Sequence, residues 1–179
     1  MSDDLTLSFT RTLSASPANI WRCWTEPALI KQWFAPAPVQ TTEVEIDPVP
    51  GGTFRTVMVV PDYGTMAGDA GCILVAETAR RLVWTNALGP GFHPNKIGDG
   101  PMDFAFTAEI LLAPAPGGCT YTATVTHASA QTAQAHKEMG FYDGWGTATT
   151  QLGALASSLK PPFFWSQIPR GRPQAGGSA

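Results

Sequence analysis

Charge of either sign is scarce in this 179-residue sequence, which has 11 basic and 14 acidic side chains and a formal net charge of −3. Nucleic-acid binding relies on clustered Lys and Arg side chains that neutralise phosphates. The sequence has no such cluster, so no nucleic-acid partner is expected. No apolar run approaches the roughly 20 residues that a membrane-spanning helix needs, and the start, MSDDLTLSFT, resembles neither a signal nor a transit peptide. These absences predict a cytoplasmic protein without a membrane span.

Cysteine and histidine are equally scarce, with three residues of each kind. The cysteines are odd in number and widely separated, which is typical of reduced, buried thiols rather than of a disulfide framework. The histidines lack the spacing of zinc ligands, and no CxxC or HExxH motif occurs. GxSxG, P-loop and GxGxxG motifs are also missing. We therefore expect neither a metal site nor a cofactor.

Hydrophobic residues make up 44% of the sequence and no long polar block divides it, which favours one compact domain over residues 1–160. Ser16 directly before Pro17, and Thr25 two residues before Pro27, are typical of helix starts. A long helical segment is predicted from about 130 to 159. Alternation of apolar and polar residues predicts seven strands, at 5–13, 39–47, 53–60, 70–78, 81–87, 102–112 and 119–127. Their short connections favour a largely antiparallel sheet with helices on one face.

The last helical segment contains GFYDGWGTATTQLGALASSL at 140–159, and three glycines precede or interrupt its amphipathic pattern. They are Gly140, Gly144 and Gly146. Each interior glycine costs a helix about 1 kcal/mol relative to alanine. We hypothesise that these glycines let the helix backbone approach its neighbours closely while Trp145 fills the remaining space. The alternative is a loop through the glycines and a helix that begins at Thr147.

Four stretches, in order, resemble one known family. TRTLSASPANIWRCWTEPALIKQWFAP (10–36) is similar to the opening of the activator-of-Hsp90-ATPase-homologue proteins. PGGTFR (50–55), LVWTNA (82–87) and DGWGTATTQLGALASSL (143–159) resemble later parts of the same family. The first stretch carries the family pattern at Arg11, Pro17, Trp21, Glu26, Pro27, Trp33 and Pro36. The resemblance covers roughly residues 5–159.

The resemblance implies the α+β helix-grip fold of the START-like, or SRPBCC, superfamily. In that fold a curved antiparallel sheet of six to seven strands, with two short helices, grips a long C-terminal helix over a cavity. The expected partner is a small hydrophobic or aromatic molecule. The family name also suggests a chaperone partner, although the eukaryotic activators carry an additional N-terminal domain for which this chain has no room.

Alternation within the strands indicates which side chains face the cavity. They are mostly apolar and aromatic with a few polar atoms, as in a small-molecule pocket, although any one of them alone is more ordinary as a core residue. The predicted ligand-binding residues are Trp33, Phe54, Met58, Trp84, Phe104, Phe106, Tyr121, His127, Phe141 and Trp145.

An enzyme of the polyketide cyclase or aromatase type is the alternative function, since the START-like group includes such enzymes. The groups to consider are Tyr63, Tyr121 and His127, of which His127 is a weak candidate for a general base. A hydrogen-bonded core histidine is the more ordinary interpretation of His127. The other two histidines are expected in an exposed loop (His93) and on the last helical segment (His136).

Two further expectations concern Arg11 and the C-terminal tail. Arg11 lies on the apolar side of its strand, and we expect an ion pair or cap with a carboxylate such as Glu26. The alternative is that Arg11 anchors a ligand. The tail, 161–179, contains Phe163, Phe164 and Trp165, an apolar group expected to fold back on the domain or to bury itself in a homodimer. From Arg170 onward the tail looks disordered in composition.

Overall fold

An eight-stranded antiparallel sheet dominates the computed structural model, which describes residues 3–100 and 103–161. The strands are β1 (Thr6–Leu13), β2 (Gln40–Ile46), β3 (Thr53–Val60), β4 (Gly64–Ala67), β5 (Gly71–Glu77), β6 (Arg81–Thr85), β7 (Leu88–Gly89), β8 (His93–Pro94), β9 (Phe106–Ala115) and β10 (Gly118–His127). The strand order in the sheet is β1-β10-β9-β6-β5-β3-β2, with the short β4 paired to β3. The strands β7 and β8 form a separate two-stranded ribbon. The curved sheet and the helices on its inner face confirm the predicted α+β helix-grip fold.

Four helices complete the fold: α1 (Pro17–Thr25), α2 (Pro27–Trp33), α3 (Ala130–Glu138) and α4 (Phe141–Ser158). The predicted helix starts are confirmed, because Ser16 accepts a hydrogen bond from the backbone N–H of Asn19 and a proline opens both α1 and α2. The helix α4 packs into the curve of the sheet. Its buried residues are Phe141, Gly146, Ala148, Thr149, Leu152 and Ala156.

The last helical segment is two helices rather than one. Gly140 adopts a φ of 93°, a left-handed conformation that glycine reaches without steric cost, and this turn separates α3 from α4. The loop interpretation is wrong, because α4 begins at Phe141 and continues through Gly144 and Gly146. Of these glycines only Gly146 makes a close approach, since a Cβ there would lie 2.8 Å from Arg11 Nη2. Around Gly144 the space is empty within 4 Å.

Short strands and one strand boundary differ from the sequence prediction. The strand predicted at 102–112 begins at Phe106 and continues to Ala115. The segments predicted as loops contain β4, β7 and β8. Strands of two to four residues carry too few positions for an alternating pattern to be recognised, which explains why they were missed.

Candidate functional site

A cavity of about 730 Å³ lies between the inner face of the sheet and the first turns of α4. Nine of the ten residues proposed from the sequence as ligand contacts form its wall: Trp33, Phe54, Met58, Trp84, Phe104, Phe106, Tyr121, Phe141 and Trp145. The tenth, His127, is buried next to the wall and contacts it through His136. The rim includes Met66 of β4 and Met139 at the end of α3, both exposed.

Contacting aromatic rings cover much of the cavity wall. Phe54 on β3 and Trp84 on β6 stack with ring centroids 4.5 Å apart and planes 26° apart. Phe34 lies 5.7 Å from Phe54, and Phe106 lies 5.2 Å from Trp84 in an edge-on arrangement. Such faces and edges complement other aromatic rings. The wall therefore presents surfaces suited to a flat apolar molecule.

Tyr121 supplies a hydroxyl group deep in this wall. Burial raises the pKa of the Tyr121 phenol, opposed by the neighbouring Trp24 and Thr149 side chains. The Trp24 contact falls short of hydrogen-bond geometry, so the indole N–H group of Trp24 is buried without a partner among the described residues. The same holds for the indole N–H group of Trp84. Tyr121 is thus a neutral phenol at neutral pH and a poor candidate for a base.

His136 is the residue that sequence reasoning missed. Its Nδ1 lies 2.9 Å from Nε2 of His127, and its imidazole ring forms part of the cavity wall. The His127 Nδ1 lies 3.3 Å from the carbonyl oxygen of Leu5. A helical spacing could have found His136, because it follows the buried Ala133 of α3 by three residues and so lies on the same helix face.

Both imidazoles are kept neutral by their surroundings. Burial lowers the pKa of His127, while the hydrogen bond to the Leu5 carbonyl opposes this shift. Burial, and secondarily the charge of His127, lower the pKa of His136 to about 4. A neutral imidazole has one nitrogen that donates and one that accepts, so at neutral pH each ring of the pair can donate through one nitrogen and accept through the other.

Two polar residues near the cavity were not among the predicted contacts. Asn86 donates to the Phe104 carbonyl oxygen (2.9 Å) and accepts from the Phe106 N–H (2.8 Å). These bonds fix the backbone at the start of β9 and so position the Phe104 and Phe106 rings in the cavity wall. The carboxylate of Asp103, at the rim, accepts a hydrogen bond from the Gly100 N–H at 3.1 Å.

The expected ion pair of Arg11 with Glu26 is wrong. Arg22, one helical turn before Glu26, takes that carboxylate at 2.7 Å, an (i, i+4) pairing that local geometry favours. Arg11 does lie on the inner side of β1, but it donates to the Gly146 carbonyl oxygen at 2.9 Å and to Thr150 Oγ1 at 3.2 Å. Arg11 therefore holds α4 to the sheet.

Several other expected features can be placed. Tyr63 is 86% exposed at the turn between β3 and β4 and does not line the cavity, so it is no catalytic candidate there. His93 is exposed on β8, as expected. The three cysteines are buried and unpaired. The tail residues Phe163, Phe164 and Trp165 lie outside the described residues.

The described residues contain neither a metal-binding cluster nor a helix of membrane-spanning character. Within residues 3–100 and 103–161, no group of three or more His, Cys, Asp or Glu side chains is arranged to hold a metal ion. Over the same residues no helix has both the length and the apolar character needed to cross a membrane.

Fold and cavity together define a START-like helix-grip protein. The family model described as Activator of Hsp90 ATPase homolog 1-like protein matches residues 14–157, and the chain belongs to this family. No curated protein matches the sequence.

Several solved structures are similar to this chain. Protein NE0264 from Nitrosomonas europaea is 37% identical, with a TM-score of 0.80 over 87% of this chain and 96% of that one. Protein Ms6760 from Mycobacterium smegmatis is 27% identical, with a TM-score of 0.70 over 89% of this chain and 94% of that one. An AHSA1-like protein from Aeromonas hydrophila, 19% identical, shares the fold with a TM-score of 0.62 over 86% of this chain and 92% of that one.

Proposed function

We propose that this protein binds a small hydrophobic or aromatic molecule in the cavity between the sheet and α4. The observation that carries the proposal is the cavity itself, about 730 Å³ in volume and walled largely by aromatic side chains. Ligand pockets commonly have volumes of about 300–1,000 Å³, apolar walls and a few polar groups. The polar side chains include Tyr121, Asn86 and His136, and Arg55, Asp69, Asp103 and Thr149 also line the cavity.

The unfilled space itself supports the same proposal. Protein interiors contain few voids larger than a water molecule. Fully buried side chains of the core include Ile20, Ile73 and Leu152. An apolar hollow deprives its wall of contacts that a filled core would supply. An apolar occupant restores those contacts, which gives the binding its driving force.

Gly144 offers a way to close the cavity without disturbing the packed core. It lines the cavity, and the space around its would-be Cβ is empty within 4 Å. In Gly144→Phe the new ring enters the cavity, whereas Gly144→Ala leaves most of the cavity open. The two variants therefore differ in cavity volume at the same backbone position.

The test is a thermal-shift titration of the purified protein with 2-methoxynaphthalene, an aromatic probe without a hydrogen-bond donor, alongside native mass spectrometry for a retained molecule. A ligand at 100 times its Kd adds about 2.7 kcal/mol to the stability. We expect stabilisation of the wild type and of Gly144→Ala, and at least a tenfold weaker affinity in Gly144→Phe. Equal affinity in all three proteins would place the binding elsewhere and reject the proposal. So would the lack of both a retained molecule and any stabilisation of the wild type.

A second candidate is an enzyme of the cyclase or aromatase type that acts in the same cavity. The observation that favours it is the neutral imidazole pair of His127 and His136, because a histidine with an available lone pair can act as a general base. A cavity with a mainly apolar wall could also hold a reactive chain in a folded conformation. Substitution His127→Ala with unchanged product in cells would reject the version of this function that uses the pair.

A chaperone partner rests on the family description alone. A pull-down with Hsp90 under conditions that preserve weak complexes tests it. No enrichment of Hsp90 over a control without this protein would reject the chaperone partner and leave only the cavity functions.

A further inference from the structure

The hydrogen bonds of the His127–His136 pair fix which nitrogens carry the protons. A backbone carbonyl oxygen can only accept, so Nδ1 of His127 donates to Leu5. The Nε2 atom of a neutral His127 is then an acceptor, and it faces Nδ1 of His136 at 2.9 Å. His136 Nδ1 must therefore carry the proton, which leaves Nε2 of His136 with a free lone pair.

That lone pair is available to an occupant of the cavity. Nε2 of His136 has no hydrogen-bond partner among the described residues, and it is not among the buried unpaired atoms that are sealed from solvent. The imidazole ring itself lines the cavity. The lone pair is thus an acceptor at the wall of an otherwise largely apolar space.

Aromatic rings surround this acceptor and hold the His136 ring in place. The ring centroids of Phe104 and Phe141 each lie 5.1 Å from that of His136, and Phe106 lies at 6.2 Å. None of these rings offers a hydrogen-bond donor. A ligand that covers this acceptor and excludes water from it is favoured if it brings its own donor, since a buried polar group left without a partner costs about 1–3 kcal/mol.

We propose that His136, held in one tautomer by His127, is the polar anchor of the cavity and selects aromatic ligands that carry a hydroxyl donor. The inference rests on the proposed function, because it requires an aromatic ligand in the cavity. In such a complex the aromatic part lies against the Phe54 and Trp84 rings or their neighbours, and the hydroxyl group donates to Nε2 of His136. His127 is a positioning residue, since it reaches the ligand only through His136.

The test compares 2-naphthol with 2-methoxynaphthalene, which have the same ring system but differ in the hydroxyl donor. A net hydrogen bond of about 0.5–1.5 kcal/mol corresponds to roughly a two- to tenfold preference for 2-naphthol in the wild type. In His136→Phe, which keeps a ring but removes the acceptor, the preference falls to about one. His136→Gln, whose amide oxygen can accept, restores part of it. His93→Phe is the matched control at an exposed histidine and keeps the wild-type preference.

The outcomes separate this inference from the proposed function. If neither probe binds the wild type, the cavity function and the anchor are both rejected. If both probes bind equally well, or if the preference survives in His136→Phe, the anchor is rejected and the cavity function stands.

A measurement on the wild type alone covers the case in which His136→Phe fails to fold. In protein labelled with ¹⁵N at histidine, we expect both His127 and His136 to carry their proton on Nδ1 at neutral pH. Addition of 2-naphthol should shift the Nε2 resonance of His136, while 2-methoxynaphthalene should leave it nearly unchanged. A proton on Nε2 of His136 in the free protein, or equal shifts with both probes, overturns the proposal.

Discussion

Arg11 Nη1 donates a hydrogen bond to the carbonyl oxygen of Gly146 at 2.9 Å and so joins the inner face of β1 to α4. The missing side chain at Gly146 makes this contact possible, because a Cβ there would lie 2.8 Å from Arg11 Nη2. The guanidinium group also reaches Thr150 Oγ1 at 3.2 Å. Gly146 is therefore retained for a specific approach, whereas the open space around Gly144 belongs to the cavity.

The first prediction separates the two helix glycines. Gly144→Ala should stabilise the protein by about 1 kcal/mol, the usual helix gain of alanine over glycine. Gly146→Ala should give little or no gain, because the new methyl group displaces the Arg11 guanidinium and costs a hydrogen bond worth about 1 kcal/mol. Urea unfolding measures both differences.

A double-mutant cycle is the control for this prediction. In an Arg11→Ala background the guanidinium is gone, so Gly146→Ala should there recover a gain of about 1 kcal/mol. If Gly146→Ala changes the stability equally in both backgrounds, the contact with Arg11 does not explain why position 146 is a glycine.

The second prediction concerns stability at acid pH. In the folded protein the pKa of His136 is lowered from 6.5 to about 4, so above pH 6.5 the residue is neutral in both states and the fold is fully stable. As the pH falls from 6.5 towards 4, only the unfolded state binds the proton, and stability is lost. The full loss is about 3 kcal/mol by linkage.

The measurement is the free energy of unfolding between pH 7 and pH 4 for the wild type, His136→Phe and His93→Phe. We expect His136→Phe to lose distinctly less stability over this range than the wild type, and His93→Phe to follow the wild type. The lowered pKa of His127 acts in the same direction, so part of the slope should remain in His136→Phe. Parallel curves of unfolding free energy against pH for all three proteins would contradict the assignment of this loss of stability to His136.

The third prediction concerns the end of α4. The Asn19 side-chain amide donates to the carbonyl oxygens of Ala156 and Leu159, at 3.1 and 3.0 Å, and so satisfies groups that a helix C-terminus leaves open. Asn19→Ala should therefore cost about 1–3 kcal/mol. Asn19→Asp should cost more than Asn19→Ala at neutral pH, because a carboxylate would face two carbonyl oxygens without a donor.

The pH dependence of Asn19→Asp provides the check. Its excess cost over Asn19→Ala should shrink as the pH falls towards the ordinary pKa of an aspartate, about 3.9, because a protonated carboxyl group can donate. Chemical denaturation at pH 7 and pH 4 measures both variants. An Asp variant as stable as the Ala variant at pH 7 would show that the two hydrogen bonds are not made.

The sequence predicts most of the fold because its signals are local. Ser16 and Pro17 start α1 through their own backbone and side-chain chemistry, and alternation over eight to ten residues defines β1, β9 and β10. The hydrogen-bond partner of a side chain, by contrast, can lie far away in the sequence. Arg11 finds its acceptor 135 residues away on α4, so parity alone could place it on the inner face without naming the partner.

The sequence likewise predicted most of the candidate site and missed one residue of it. Strand parity placed six of the nine predicted wall residues in one cavity, because residues of one parity must share a sheet face. They are Phe54, Met58, Trp84, Phe104, Phe106 and Tyr121. Trp33, Phe141 and Trp145 reach the cavity from α2 and α4. His136 was missed because its role depends on the break at Gly140, which lets α3 lie across the end of β10 with His136 against His127. No alternation pattern records that contact.

The fourth prediction separates the wall of the cavity from the packed core. Phe54 lines the cavity and stacks on Trp84, whereas Leu152 is fully buried in the core and does not line the cavity. Phe54→Ala enlarges the cavity and removes a stacking surface worth about 1 kcal/mol, so the affinity for 2-methoxynaphthalene should fall roughly fivefold. Leu152→Ala should leave that affinity within about twofold but cost about 2–5 kcal/mol of folding stability. Isothermal titration calorimetry and urea unfolding of the same two variants give all four values. If Leu152→Ala weakens binding as much as Phe54→Ala does, the probe does not occupy the hollow between the sheet and α4.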